Sequence, residues 1–173
     1  MNGFTLARLV RVWLTIAVVD FLFANCLSVF AYGSTFTRLW QGVASTVLGP
    51  TAFQGEMHTI LVGVLLHLGV ALAWSAVFLA LATSWPPMRR ILSSWSGILA
   101  TSAVYGPLVW IVMSFAVIPS RTGKLPTVTG RWWIQLLGHI VFVGLPIVLT
   151  TARVTGMLVR DAGLAIPRGQ RAG

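Results

Sequence analysis

The stretch from Thr59 to Ala82, TILVGVLLHLGVALAWSAVFLALA, carries no formally charged side chain. An α-helix rises about 1.5 Å per residue, so a run of this length crosses the roughly 30 Å hydrocarbon layer of a bilayer. It ends at Trp85-Pro86-Pro87-Met88-Arg89-Arg90, a tight basic turn, and apolar sequence resumes from Ser96 to Ile118. The two runs read as an antiparallel helical hairpin. Two more runs of similar length lie outside it, Val10 to Tyr32 and Trp133 to Ala152. The pattern predicts an all-α chain: an integral membrane four-helix bundle in a single domain over 1–173, with spans at 10–32, 59–82, 96–118 and 133–152.

Composition points the same way. The 173 residues are 57% hydrophobic and 9% charged, with a mean hydropathy of +0.87. Charged residues make up about a quarter of an ordinary soluble domain. The net charge of +9 would suggest nucleic acid in a soluble protein, but here the basic residues sit in short segments between apolar runs. They read as topology signals and anchors to anionic lipid headgroups, with no nucleic-acid partner. Cys26 is the only cysteine, so neither an intramolecular disulfide nor a thiolate metal cluster is available. The N-terminus resembles a secretory signal, with Arg8 and Arg11 ahead of Leu14 to Val19. Asp20 interrupts the apolar core and Asn25 precedes Cys26, so the segment reads as a retained span.

The connections differ in kind. Ser120 to Arg131, with Gly123, Pro126 and Gly130, reads as an irregular loop. Between spans one and two, Leu39, Trp40, Val43, Val47 and Leu48 fall on one face of a short helix, about 36–48, which Gly49-Pro50 stops. It reads as an interfacial helix parking Trp40 at headgroup level. Eight basic residues fall on one side (Arg8, Arg11, Arg89, Arg90, and Arg153, Arg160, Arg168 and Arg171 of a short tail, 153–173). The other side has four: Arg38, Arg121, Lys124 and Arg131. The positive-inside rule then places both termini in the cytoplasm and faces Glu56 and His58 outward.

Asp20 lies near the middle of span one. A charge at a helix centre costs about +2.5 to +3.5 kcal/mol even on lenient insertion scales, so it calls for a partner. Counting about 1.5 Å per residue from each span's start places Asp20 and Tyr105 near the midplane, His67 slightly outward and His139 further outward. Asn25 and Gln135 follow beyond them, and Thr15 and Ser102 lie further in. This polar intramembrane centre of Asp20, His67, Tyr105, His139 and Asn25 has two readings. A carboxylate beside an imidazole takes up and releases protons; alternatively, hydrogen bonds hold Asp20 and fix helix register.

Two histidines on different spans also admit bis-histidine haem ligation by His67 and His139, or a bound pigment, as in a redox subunit of an electron-transfer complex. No cofactor is required by the pattern, and no metal site is read. Asp20 is the one carboxylate within the spans, and Glu56 with His58 would need further ligands. No catalytic constellation emerges: Cys26 has no nearby histidine, and Ser84, Ser93 and Ser94 have no acidic partner. A phosphate-binding glycine loop is also lacking. The sequence therefore predicts a non-enzymatic protein.

Gly106-Pro107 in span three and Gly144 with Pro146 in span four are expected to kink their helices and open space in the bundle. Gly69 with Ala73 forms a small-xxx-small pair suited to close helix approach. Trp13, Trp40, Trp85, Trp95, Trp132 and Trp133 read as interfacial belts, and Trp74 and Trp110 as deeper packing residues.

One resemblance extends these readings. At Arg38-Leu39-Trp40-Gln41-Gly42-Val43-Ala44-Ser45, then Gly49, Ala52-Phe53 and Gly55, His67, Tyr105-Gly106, Met113 and Pro119, the chain resembles a group of small bacterial four-span membrane proteins of uncharacterised role. Trp95 to Gly97 and Gly138-His139 are distantly similar to the YagU-type inner-membrane proteins. The resemblance implies a bacterial inner-membrane setting and assigns no catalytic residue. The function expected is that of a structural or accessory subunit in a homo-oligomer or larger membrane assembly, or of a minor proton or solute pathway centred on Asp20.

Overall fold

The computed structural model describes residues 5–158, so Arg160, Arg168 and Arg171 of the predicted tail lie outside the described residues. Every regular element among the described residues is helical: α1 (Leu6–Ala31), α2 (Phe36–Leu48), a 3₁₀ helix (Gly49–Gln54), α3 (Met57–Ser84), α4 (Pro86–Ile91), α5 (Trp95–Thr122) and α6 (Gly130–Val154). Four of them, α1, α3, α5 and α6, are long and apolar enough to cross a membrane, and the chain is a membrane helical bundle. Each span starts a few residues before its apolar run, and polar side chains cap α1, α2 and α5. The Ser94 hydroxyl accepts from the Gly97 N–H at 3.2 Å, and the Thr35 hydroxyl from the Arg38 N–H at 3.1 Å. The Pro86-Pro87 turn itself forms α4, because proline at the first helical positions forfeits only an N–H that lacks a partner there anyway.

α1 packs on α3 and α6, α5 packs on α6, and α2 lies against α3. Consecutive spans α3 and α5 meet through aromatic side chains. The Tyr105 hydroxyl donates to the Trp74 carbonyl at 2.7 Å, and its ring centroid is 4.6 Å from that of Phe78. On the other side of α3, the Trp13 indole donates to the Leu68 carbonyl at 2.9 Å. Trp13 is thus a tie between helices rather than a headgroup anchor.

The glycines expected to loosen the bundle tighten it. A Cβ on Gly106 would run into the His139 carbonyl, and one on Gly144 into the Ser102 carbonyl, so α5 and α6 approach backbone to backbone. A Cβ on Gly69, by contrast, would meet nothing within 4 Å. The prolines are accommodated by widening. Met113–Val117 and Ile140–Gly144 are five-residue π-helical segments, each ending two residues before a proline, Pro119 and Pro146. Proline cannot donate and its ring crowds the carbonyl four residues back, and an i→i+5 turn relieves that crowding.

The two ends of the bundle differ. The apolar core gathers in the half that carries α4: Val12 and Ile16 of α1, Phe78 of α3, Ile98 of α5, and Ile147 and Val148 of α6. The half that carries α2 holds the aromatic and polar side chains.

Candidate functional site

Asp20 projects from α1 toward His67 of α3, with Oδ2 3.7 Å from Nε2. That separation is within ion-pair reach but longer than a direct hydrogen bond. The carboxylate side chain is 20% exposed and the imidazole 13%, and Nε2 is buried without a hydrogen-bond partner. Coulomb attraction between opposite charges at this range grows as the surrounding dielectric falls.

α2 closes the site. Trp40 is fully buried, its ring 5.2 Å from that of His67 and stacked on Phe21 at 4.9 Å with the planes 12° apart. This corrects the headgroup placement of Trp40. The face of α2 that is buried is Trp40, Gln41 and Ala44, whereas Val47 and Leu48 are exposed. Gly63 is the socket, since a Cβ there would strike the Trp40 carbonyl. Gln41 Nε2 donates to the Gly55 carbonyl at 2.7 Å and ties the helix to the connection that follows it.

His139 occupies a second aromatic nest, its ring 4.9 Å from Trp110 and 6.4 Å from Phe23, with Trp110 in turn 6.2 Å from Trp132. His139 Nδ1 is hydrogen-bonded to the Gln135 carbonyl at 2.6 Å, which makes Nδ1 the protonated nitrogen of the neutral ring.

The predicted single polar layer therefore divides. Asp20 and His67 come together, and His139 stands in its own nest. Tyr105 spends its hydroxyl on Trp74, in the apolar half. Asn25 Nδ2 donates to the Phe21 carbonyl at 2.7 Å, four residues back on its own helix, and so does not hold Asp20. Thr15 and Ser102 likewise bond back to the Arg11 and Ile98 carbonyls at 2.9 and 2.7 Å. Glu56 and His58 are exposed at the start of α3, and Cys26 is exposed on α1. Sequence reasoning missed Phe21 and Trp40 as walls of the site. The signal was present: Trp40-Gln41 followed by Ala44 gives a face of shape and small size, and Gly63 offers the complementary notch.

The chain matches no family model, no curated protein and no solved structure.

Proposed function

We propose that this is a non-catalytic inner-membrane subunit of bacterial type whose Asp20–His67 pair exchanges protons beneath α2. The observation that carries the reading is the 3.7 Å approach of a carboxylate and an imidazole from two spans, at a depth where an isolated charge is expensive. The distribution of basic residues supports an orientation with both ends cytoplasmic and α2 on the outer side. Asp20 keeps a fifth of its side-chain surface open, which supports assembly with further copies or partner subunits that complete its enclosure. The test is an infrared pH titration of the protein in lipid nanodiscs. A protonated-carboxyl band that titrates in wild type, disappears in Asp20→Asn and moves in His67→Gln supports the pair. A carboxyl signal unaffected by Asp20→Asn sinks the proposal.

The presence of histidines on two different spans also admits a redox reading, in which His67 and His139 hold haem. An absorption spectrum of the purified protein tests it. A Soret band lost in both His67→Ala and His139→Ala would replace proton exchange as the working function.

A further inference from the structure

Between α3 and α5 the bundle leaves an apolar cleft. Val70, Ala73, Trp74 and Val77 of α3 line one wall and Met113 and Val117 of α5 the other, around a volume of about 250 Å³. Ala73, Val77 and Val117 are exposed, so the cleft opens sideways to the bilayer. A second hollow of about 420 Å³ continues it along α3 past Val62, Leu66 and Gly69, and the two share Val70 and Ala73. No charged side chain lines either hollow. Gly69 contributes bare backbone, since a Cβ there would meet nothing within 4 Å. From Val62 to Val77 the hollows follow about 22 Å of helical rise, enough to seat a chain that fills one leaflet, about 15 Å of hydrocarbon.

Width and charge select the occupant. Val70 to Val77 spans about 10 Å of rise, so a volume of about 250 Å³ gives a cross-section of roughly 25 Å² and a width of about 5 Å. A transmembrane helix is about 10 Å across with its side chains and does not enter. A single polymethylene chain does. The outer end of the cleft is basic: Ile118–Thr122 is α-helical, so Arg121 stands one turn beyond Val117 on the same face, with Lys124 shortly after it. Both cations are exposed, and neither has a carboxylate within ion-pair reach among the described residues. We infer that the α3–α5 cleft binds one anionic phospholipid, its acyl chain laid along Val70, Ala73 and Val77 and its phosphate at Arg121. Bulk lipid tails are as apolar as the side chains they would leave, so the chain gains through close contact with both walls and the headgroup through charge. A guanidinium suits that role because its planar fork pairs with two phosphate oxygens at once. The inference stands apart from the proton-exchange reading, since neither Asp20 nor His67 lines the cleft.

The experiment is native mass spectrometry of the full chain released from nanodiscs of equimolar phosphatidylglycerol and phosphatidylcholine. Wild type is expected to retain one phosphatidylglycerol. Ala73→Phe and Val117→Phe fill the cleft from opposite walls, and each should lower that retention severalfold. Leu61→Phe, on exposed α3 surface outside the cleft, should leave it unchanged. Arg121→Gln keeps the cleft and removes the charge, so the two lipids should then be retained in similar amounts. Retention that neither cleft variant lowers below the Leu61→Phe level overturns the site. Equal retention of both lipids by wild type overturns the anionic headgroup. A wild-type dimer that Ala73→Phe dissociates assigns the groove to a second copy and overturns the lipid as its occupant.

Discussion

Asp20 and His67 face each other from α1 and α3 across 3.7 Å, while Tyr105 is committed elsewhere by a 2.7 Å bond to the Trp74 carbonyl. These two arrangements make opposite forecasts in a double-mutant cycle. Residues in one charge pair share interaction energy of about 0.5–3 kcal/mol, and residues without shared partners add to within about 0.5 kcal/mol. Asp20→Asn combined with His67→Gln should therefore be less damaging than the sum of the single changes in a reversible detergent-unfolding assay. Asp20→Asn combined with Tyr105→Phe should be additive. Additivity in both pairs would mean that Asp20 and His67 do not sense each other. Tyr105→Phe alone should cost about 0.6 kcal/mol, the average for interhelical hydrogen bonds in a membrane protein, because the competing membrane-bound states also find partners. A loss several times larger would show that the phenol does more than clamp α5 to α3.

At the scale of the element, the glycines decide which helices touch. Gly106→Ala places a methyl against the His139 carbonyl and Gly144→Ala places one against the Ser102 carbonyl, both backbone atoms that cannot rotate away. Overpacking of that kind costs about 1–3 kcal/mol. Gly69→Ala meets open space and should be neutral or slightly stabilising, since alanine is the better helix former. Thermal unfolding in detergent ranks the three, and equal effects would contradict the close α5–α6 packing. Gly63→Ala belongs to the same class but acts on α2. Displacing the Trp40 backbone should loosen that helix, seen as faster proteolysis within 36–56 and a red-shifted tryptophan emission, with the four spans still folded. The existence of every α-helix except α4 is legible in hydropathy and in the Gly49-Pro50 stop, whereas the 3₁₀ helix Gly49–Gln54 is not. Which glycines press on a neighbour is not, because GxxxG-type spacing marks a face as small without saying what lies opposite. Gly69 belongs to a small-xxx-small pair yet meets open space, whereas Gly106, read as a kink ahead of Pro107, presses on the His139 carbonyl.

For the whole molecule, hydropathy could not reveal the division between an apolar half and a polar half. Residue counting placed Asp20, His67, Tyr105 and His139 at similar depths, but depth is one coordinate and azimuth around the bundle is the other. Tyr105 turned toward Phe78 and Trp74, and the site was closed instead by Trp40, which its position in an amphipathic helix had assigned to the interface. The orientation of the two halves across the membrane rests on charge, and it yields the most direct test at this scale. Thr51 and Thr127 are exposed in connections at the α2 end, and Pro87 is exposed at the opposite end, in α4. In a Cys26→Ser background, Thr51→Cys and Thr127→Cys should react with a membrane-impermeant maleimide added to intact cells, and Pro87→Cys should react only after the membrane is permeabilised. The reverse pattern would turn the molecule over and place the Asp20–His67 pair, with α2 above it, on the cytoplasmic side. Four basic residues, Arg38, Arg121, Lys124 and Arg131, oppose the expected orientation, so neutralising Arg89 and Arg90 together should weaken it first, visible as partial labelling of Pro87→Cys in intact cells.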